Sequence, residues 1–561
     1  MKRREFIKSA FKAGISLSLA GGLSQQRVFP TPHRFDILIK NGWILDGFSD
    51  SSIKADLGIV GDRIESFGTL TSDSAKTVIN ATDKIVSPGF IDIHSHTDSE
   101  LLINPKAESK IRQGVTTELS GNCGGSMFPH KQKLNPYEKT IKKTLGIDIH
   151  WTDLEGYHNL MQKRGTAVNH ATLVGQGTVR QHIMGSERRT PTSGEMDTMK
   201  KLVAKAMEQG AFGMSTGLEY TPDRFSSTEE IIALCRIVSE YGGFYATHTR
   251  SEDTALLEAV GEAIHIAEKA ELPLQISHLK AAGRGNYYKI PMVLDLIERA
   301  RERGLGVSAD RYPYTAFATS LSIMFPIWAL DGGQKRFVER LKDKDLRTKM
   351  KEETLVKARG NNSWESMLIQ SVNTKDNEHL VGKYILEAAE DAQQAPYEFV
   401  CDLLIAEGGD LSIIGFGMSE ENTTTILKHP LVMLASDGVA LAPYEKLSEG
   451  IPHPRNYGSF PRFLGKYVRE EKLVPLPEAI KKMTSMPARK MGLKKRGTLS
   501  KGSYADIVVF DPDTVTDLAT YTEPSQYPKG IDYVIVNGKF VIDRGEHTGE
   551  LPGKILHRIT T

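Results

Sequence analysis

Cysteine is scarce in this chain: three of its 561 residues are cysteines, at Cys123, Cys235 and Cys401. Three cysteines cannot form the disulfide framework that holds a small secreted domain together. Neither sign of charge predominates, because 71 Lys and Arg face 70 Asp and Glu, and no basic stripe stands out. The sequence therefore lacks the electrostatic footprint of a protein that binds nucleic acid or an anionic membrane surface.

The rest of the composition is that of an ordinary globular protein. Hydrophobic residues make up 39% of the chain and charged residues 25%. These fractions argue against disorder, collagen-like repeats and coiled coil. The length is ample for a large buried core, and α/β barrels regularly exceed the usual size of one domain.

The first residues resemble an export signal. Arg3 and Arg4 lie in a basic segment, residues 2–8, that resembles the twin-arginine export motif, and a weakly apolar run follows at 10–19. This run is too short to anchor the protein as a membrane-spanning helix, and no cysteine follows it to carry a lipid. We predict a signal peptide over residues 1–28, recognised by the twin-arginine export machinery, and a periplasmic location. The alternative is a frayed basic helix on a cytoplasmic protein.

Both ends of the remaining chain predict short strands. Near the start, residues 35–42, 55–60, 63–67 and 77–80 are rich in β-forming residues, with Gly and Asp between them. Near the end, residues 505–510 and 534–538 repeat this character. We predict one small β domain formed by residues 34–86 and 490–561.

The middle of the chain alternates between apolar, β-rich runs and amphipathic helices. The eight runs are residues 85–93, 115–119, 171–174, 211–215, 244–248, 274–278, 306–309 and 432–436. Eight buried strands that alternate with helices predict an α/β fold, a (β/α)8 barrel over residues 87–489. About 120 residues separate the last two runs, more than one crossover needs, so we predict an insertion at about 315–425.

Side chains that bind metals or carry protons follow five of these runs. They are His94 and His96 after the first, Cys123 after the second, His248 and His278 at the ends of the fifth and sixth, and Asp437 after the eighth. The carboxyl ends of barrel strands meet at one opening, where such groups form a divalent metal site. One strand-end histidine alone is more often structural, and Asp437 alone fits a helix N-cap equally well. So many donors at one opening are improbable by chance.

This pattern resembles the amidohydrolase superfamily, which has a His-x-His on strand one, histidines ending strands five and six, and an aspartate ending strand eight. Cys123, residues 245–250, residues 277–280 and the His453-Pro454-Arg455 segment narrow the resemblance to the D-aminoacylases, the N-acyl-D-amino-acid deacylases. The similarity spans about residues 34–561. Strand four, residues 213–217, lacks the lysine that bridges two metals in many amidohydrolases, and Cys123 corresponds to the bridging ligand of the deacylases. This departure argues against a dihydropyrimidinase- or dihydroorotase-like site.

The resemblance implies a zinc site. One tightly held zinc ion corresponds to Cys123, His248 and His278, and a second, weaker position corresponds to His94 and His96, so one zinc ion can suffice. Zinc lowers the pKa of bound water to roughly 7. Asp437 corresponds to the residue that takes the proton of this water and delivers it to the departing amine.

The resemblance also implies a binding site for the α-carboxylate of the substrate. Arg455 corresponds to the family's carboxylate-binding arginine, which makes a bidentate pair. Tyr312 corresponds to a tyrosine that donates its hydroxyl, and Tyr314 reads better as a core aromatic. Lys280 lies two residues after His278 and reaches the same cavity.

We therefore predict an exported, zinc-dependent hydrolase that splits an N-acyl-D-amino acid into a carboxylate and a free D-amino acid. One alternative is the same scaffold acting on a cyclic imide or on a dipeptide with a D residue. A less favoured alternative is an inactive exported barrel that only binds a ligand. The sequence carries no signal for the preferred side chain, the acyl group or the oligomeric state.

Overall fold

A computed structural model describes residues 34–130, 146, 149–360 and 363–558. The predicted signal peptide at 1–28 lies outside these residues. Within them, no helix combines the length and the apolar character needed to cross a membrane.

The structure confirms the predicted fold class, a (β/α)8 barrel with a small β domain built from both chain ends. The strands are β1 (Phe35–Ile44), β2 (Ile53–Val60), β3 (Arg63–Gly68), β4 (Ala75–Asn80), β5 (Ile85–Pro88), β6 (Phe90–Asp92), β7 (Val115–Ser120), β8 (Asn169–Thr172), β9 (Val174–Gly175), β10 (Gly213–Gly217), β11 (Phe244–His248), β12 (Leu274–Ile276), β13 (Val307–Arg311), β14 (Phe317–Ser320), β15 (Met367–Ser371), β16 (Ser412–Gly415), β17 (Val432–Leu434), β18 (Ile507–Phe510), β19 (Ile531–Val536), β20 (Lys539–Asp543) and β21 (Glu546–His547). The α-helices are Glu100–Ile103, Glu108–Ile111, Leu154–Arg164, Gln176–Met184, Ser193–Glu208, Thr228–Glu240, Leu256–Ala270, Ile290–Glu302, Gln334–Lys342, Lys344–Gly360, Ile385–Asp391, Pro396–Ala406, Glu420–Lys428, Arg455–Arg462, Leu476–Met483 and Ser485–Met491.

The barrel consists of two parallel arcs. One arc has the order β6-β7-β8 and the other β9-β10-β11-β12-β13-β17. The segments that follow β6 and β17 close the barrel, because the backbone N–H of Asp437 donates to the carbonyl oxygen of His94 and that of His96 donates to Gly438, each over 2.9 Å. This closure brings residues more than three hundred positions apart onto one rim.

The first predicted run, residues 85–93, is two strands. β5 pairs with β1 and β18 in the small sheet, whereas β6 pairs with β7 in the barrel. The change of sheet occurs at Gly89, where a side chain would collide with Thr116. Run 171–174 is likewise divided, into β8 and β9. The pairing therefore passes from the small sheet to the barrel at Gly89.

The small β domain is a nine-stranded sheet. Its order is β21-β20-β19-β18-β5-β1-β2-β3, with β4 paired to β1. The sheet joins the barrel through buried polar contacts, in which Asn169 at the start of β8 donates to Asp506 and accepts from Asn537. Within the predicted domain segment 490–561, residues 552–555 lie along the barrel, where Pro552 is bridged to Thr166 and Ile555 to His170.

The insertion has its own apolar core. Strands β14, β15 and β16 form an antiparallel sheet. Helices Gln334–Lys342 and Pro396–Ala406 pack on one cluster of buried residues, which includes Phe337, Met350 and Val400. The insertion lies beside the barrel opening and contributes one wall of the cavity described below.

Two histidines, His158 and His170, are buried on the side of the barrel that contacts residues 555–557. Both ring nitrogens of His158, and Nδ1 of His170, lack a hydrogen-bond partner in the described part of the chain. Burial, together with the imidazoles of His170 and His557, lowers the pKa of His158 to about 2. Burial lowers the pKa of His170 to about 4. Both histidines are therefore neutral in the folded protein near neutral pH.

We expect these two histidines to lower the free energy of unfolding as the pH decreases below about 6.5, because the unfolded chain then binds protons that His158 and His170 do not bind in the folded chain. Each histidine contributes a loss of up to about 1.4 kcal/mol per pH unit until its folded pKa is reached. His158→Leu should reduce this slope, whereas His265→Gln, at an exposed histidine, should not. Urea unfolding at about pH 7 and about pH 5 measures the slope. An unchanged slope in His158→Leu would contradict the prediction.

Candidate metal centre and substrate cavity

Six side chains that the sequence predicts at strand ends lie together at the barrel opening. They are His94 and His96 after β6, Cys123 after β7, His248 at the end of β11, His278 after β12 and Asp437 after β17. They come from five barrel strands or from the loops that follow them, and parallel strands end on the same rim. The structure brings all six into one cluster, with donor atoms of neighbouring members 3.0 to 3.5 Å apart.

Three of these residues have left-handed backbone conformations: φ is 50° at Cys123, 36° at His278 and 50° at Asp437. Outside glycine such a conformation costs on the order of 1–3 kcal/mol and persists only where neighbouring contacts enforce it. The contacts are visible here: the backbone N–H of His278 donates to Oδ1 of Asp310 over 2.7 Å, and that of Asp437 donates to His94. The fold thus maintains strained backbone where the donors converge.

Cys123 lies at the centre of the cluster. Its Sγ is 3.4 Å from Nε2 of His94 and 3.5 Å from Nε2 of His278, and Nδ1 of His248 is 3.0 Å from the same nitrogen of His278. Two ligands of one tetrahedral zinc ion are about 3.3–3.6 Å apart, given bonds of about 2.0–2.1 Å to nitrogen and about 2.3 Å to sulfur. Most of these spacings fit a divalent ion shared between sulfur and imidazole.

A second group of donors adjoins the first. Oδ1 of Asp437 is 3.0 Å from Nε2 of His96 and 3.4 Å from Nε2 of His94. The donor atoms of these three residues lie within 4.8 Å of one another, as do those of His94, Cys123 and His278. His94 belongs to both of these groups, and His278 belongs to a third one with His248 and Glu252.

Glycines make room for the loop that carries Cys123. A side chain on Gly217, at the end of β10, would collide with the carbonyl oxygen of Cys123. A side chain on Gly175 would collide with the carbonyl oxygen of Gly124. The barrel strands β9 and β10 therefore end in glycines, which allow another backbone segment to approach closely.

The cluster strongly favours positive charge. Burial opposes ionisation of the Cys123 thiol, but the imidazoles of His94 and His278 lower its pKa well below the usual range. Burial also opposes protonation of His96, yet Asp437 and Cys123 raise its pKa to about 9. For His248, burial is likewise outweighed, by Glu252 and Cys123, and its pKa rises to about 10. Acids and a thiolate that raise imidazole pKa values in this way also attract a metal cation.

Three carboxylates that the sequence prediction did not include support the histidines. Asp310 lies 3.2 Å from Nδ1 of His94, Glu252 lies 2.9 Å from Nδ1 of His278, and Glu219 lies 3.3 Å from Nε2 of His248. Carboxylates in this position orient metal-binding imidazoles and raise their basicity. Asp310 is the second-last residue of β13, and Glu219 follows the end of β10 by two residues. The positional signal that revealed the histidines therefore applied to both acids.

The predicted carboxylate-binding cations are close to the cluster, and each contacts an acid. Nη1 of Arg455 is 2.7 Å from Oδ2 of Asp437, and Nζ of Lys280 is 2.5 Å from Oε1 of Glu252. Burial would raise the pKa of Asp437, but the Arg455 guanidinium holds it well below its usual range. The two cations can therefore receive a substrate carboxylate only by sharing or exchanging these partners.

The two tyrosines differ in their surroundings. The hydroxyl of Tyr312 is buried, borders the cavity and has no hydrogen-bond partner among the residues described. The hydroxyl of Tyr314 faces the carbonyl of Pro454 and the carboxylate of Asp517, both at 3.4 Å. Tyr312 is thus the tyrosine with a hydroxyl left to donate, whereas Tyr314 packs in the core.

A cavity of about 300 Å³ connects these groups. The barrel rim contributes the six donors except His94, together with the two cations and Tyr312. The opposite wall is contributed by Tyr220 and by residues of the insertion, among them Phe317, Ile323, Met324 and Lys357. Nζ of Lys357 lies 3.4 Å from Oε1 of Glu219, so this cation too faces an acid.

Comparison with known proteins identifies relatives of the whole chain. The profile of the amidohydrolase family matches residues 77–318 and 402–542. A D-aminoacylase of Alcaligenes xylosoxydans xylosoxydans is 36% identical over 93% of this chain and 98% of its own length. An N-acyl-D-glutamate deacylase of the same organism is 32% identical, over 94% and 97%.

Solved structures of the same two kinds of enzyme match the chain over most of its length. The N-acyl-D-glutamate deacylase of Bordetella bronchiseptica, complexed with zinc and a phosphonate that mimics the tetrahedral intermediate, superposes with a TM-score of 0.80. It is 32% identical, and the match covers 94% of this chain and all of that one. A D-aminoacylase structure superposes with a TM-score of 0.78 at 35% identity, over 93% of this chain and all of that one.

We expect Cys123→Ala to lose metal, because the substitution removes the sulfur atom that contacts the imidazoles of both His94 and His278. Cys235→Ala, at a buried thiol in the helix Thr228–Glu240 and outside the donor cluster, is the matched control and should bind metal as the unmodified protein does. Metal content after dialysis, and the sulfur-to-cobalt charge-transfer absorption of the cobalt-loaded protein, measure the effect. A full complement of metal in Cys123→Ala would remove Cys123 from the ligand set.

Proposed function

Because the chain belongs to the amidohydrolase family, and within it to the D-aminoacylases, we propose that it hydrolyses N-acyl-D-amino acids with the help of zinc. The products are a carboxylate and a free D-amino acid. The observation that carries the proposal is the donor cluster around Cys123, with Arg455, Lys280 and Tyr312 beside it in one cavity. The zinc-complexed N-acyl-D-glutamate deacylase and the D-aminoacylase structures that concern a binuclear metal centre support a metal here.

In this proposal, Cys123, His248 and His278 hold the tightly bound ion, and His94 and His96 contribute to a weaker second position. When bound, zinc polarises the scissile carbonyl and lowers the pKa of water, so that an effective nucleophile exists at neutral pH. Asp310, Glu252 and Glu219 fix the orientation of the imidazoles through the contacts described above. The chain's own contribution at this stage is a set of donors held in position before substrate arrives.

Asp437 carries the proton in the proposed reaction. It accepts a proton from the attacking water and delivers it to the nitrogen of the departing amine, which would otherwise leave as a poor anion. In the structure, Arg455 keeps this carboxylate ionised. A substrate carboxylate that pairs with Arg455 competes with Asp437 for the guanidinium, so binding of the substrate makes Asp437 a better proton acceptor.

Three groups recognise the α-carboxylate. Arg455 presents a planar guanidinium, which suits a bidentate pair with a carboxylate. Tyr312 donates its unpartnered hydroxyl, and Lys280 adds positive charge next to His278. Binding at this end of the substrate leaves its other groups facing the insertion.

The insertion wall favours apolar groups on the substrate. Phe317, Ile323 and Met324 line it, and its cation, Lys357, already faces Glu219, whose pKa is held at about 2 by Lys357 and His248 in spite of burial. An acidic side chain of a substrate would lie against this wall without a cation to pair with, because Lys357 already faces Glu219. Burying an ionised group without a partner is costly.

We expect N-acetyl-D-leucine and N-acetyl-D-methionine to be hydrolysed with a kcat/KM at least about 100-fold higher than N-acetyl-D-glutamate, because of this desolvation cost. The N-acetyl-L enantiomers serve as the control and should release little amino acid. The assay is amino-acid release by the zinc-loaded protein, with metal content measured on the same sample. Activity confined to L-substrates or to a cyclic imide would contradict the proposed reaction, whereas a preference for D-glutamate would contradict only the reading of the insertion wall.

Asp437→Asn should lower kcat by about 10²–10⁴-fold while the protein keeps its metal, because the amide no longer accepts a proton. The variant also leaves Arg455 without its partner, which costs about 3–5 kcal/mol of stability, so its folding must be verified by thermal melting. Asp517→Asn, at a carboxylate 3.2 Å from Arg462 and outside the donor cluster, is the matched control. A kcat within threefold of the unmodified protein would eliminate Asp437 as the proton carrier.

A further inference from the structure

One buried cation lies outside the cavity and takes no part in the proposed chemistry. The side chain of Lys110 is completely buried. Its Nζ donates to Oδ2 of Asp92 over 2.8 Å, to Oγ of Ser436 over 2.6 Å and to the carbonyl oxygen of Gly438 over 3.0 Å. An ammonium taken out of water costs several kcal/mol unless good contacts compensate it, so a fully buried lysine has to be explained.

The partners of Lys110 lie on both sides of Asp437. Ser436 precedes Asp437 and Gly438 follows it, so one ammonium contacts the residues that flank the proposed proton carrier. Asp92, the last residue of β6, adds a second link: its Oδ1 accepts from the backbone N–H of Ser436 over 3.0 Å. The hydroxyl of Ser436 in turn accepts from the backbone N–H of Gly438 over 3.0 Å.

This arrangement acts where the backbone is strained. Asp437 has a φ of 50°, and its N–H donates to His94 across the closure of the barrel. The carbonyl oxygen of Gly438 accepts from both Lys110 and His96. Without the ammonium, the segment from Ser436 to Gly438 loses one buried hydrogen bond at each of its ends, at the hydroxyl of Ser436 and at the carbonyl oxygen of Gly438.

We propose that Lys110 is a positioning residue that sets the carboxylate of Asp437 against His94 and His96. The proposal rests on the proposed function in one respect: it takes Asp437 as the proton carrier. A misplacement of about 1 Å in a reacting group can cost about 100-fold in rate. Lys110 therefore affects the rate of the chemical step, although it touches neither substrate nor the donor atoms.

A second buried lysine offers a matched control. Lys482 is also buried, and its Nζ donates to the carbonyl oxygens of His429 and Val432, the latter over 3.0 Å. These acceptors lie at the amino end of β17, the opposite end of the strand from Asp437. Replacement of either lysine removes a buried ammonium that contacts β17 or a segment next to it. Only Lys110 contacts the residues on either side of the proposed proton carrier, Asp437.

The test compares Lys110→Met with Lys482→Met in the zinc-loaded, full-length protein. We expect Lys110→Met to lower kcat by about 100-fold, with KM within threefold of the unmodified protein and with the first equivalent of metal retained. Lys110→Arg, which keeps the charge, should retain more activity than Lys110→Met. Lys482→Met should lose thermal stability and keep its kcat.

Two further measurements separate positioning from folding. Cobalt titration should show weaker binding of the second equivalent in Lys110→Met, because His94, His96 and Asp437 are no longer aligned, while the charge-transfer absorption of Cys123 is unchanged. Where Lys110→Met does not fold, Ser436→Ala removes one acceptor and should lower kcat by about tenfold, since a lost hydrogen bond of about 1–1.5 kcal/mol has that effect on rate.

Three results would overturn the proposal. They are a kcat within threefold of the unmodified protein in folded Lys110→Met, a loss of activity that follows a loss of the first metal, and an equal loss of kcat in Lys482→Met. Failure of the proposed function has a different signature, because the unmodified protein would then release no D-amino acid. The cobalt titration would still report on Lys110 in that case.

Discussion

The closure of the barrel between its first and eighth strands is the constraint on which the site depends. Backbone hydrogen bonds from Asp437 to His94 and from His96 to Gly438 bring together two segments that lie far apart in the chain. They fix the distance between the carboxylate of Asp437 and the two imidazoles before any ion or substrate is present. The closure requires a strained, left-handed backbone conformation at Asp437, and the buried contacts around this residue stabilise that conformation.

The balance of charge in the cavity follows from the same convergence. Thiolate and carboxylates gathered at one opening raise the pKa values of the histidines and attract cations. Cations of the protein neutralise part of this negative charge, because Arg455 pairs with Asp437 and Lys280 pairs with Glu252. A substrate carboxylate that binds here therefore shares or displaces cations that already face acids, and the pairs that it forms with them offset its own desolvation.

Much of the site was predictable from the sequence because barrel strands all end on one rim. A histidine, cysteine or aspartate after an apolar β-rich run has its approximate position determined by the fold, and this argument reached Cys123, His248 and Asp437. It did not reach Glu252, which lies four residues after His248 in a loop. The role of Lys110 was also beyond the sequence, because a lysine in a polar stretch reads as solvated until its burial is known.

The fold was predictable at the level of strands and less so at their boundaries. Apolar runs located the barrel strands, but residues 85–93 belong to two sheets, and only their pairing partners reveal the change at Gly89. The course of residues 552–555 along the barrel depends on tertiary bridges to Thr166 and His170. Periodicity carries no information about such partners.

The construction of the small sheet from both chain ends has a consequence for biosynthesis. β5 is completed early, but its neighbour β18 begins more than four hundred residues later. During translation the edge of β5 has no partner strand, and an unpaired edge is a template for aggregation. The nascent chain must therefore keep Ile85–Pro88 from other strands until nearly the whole polypeptide has left the ribosome.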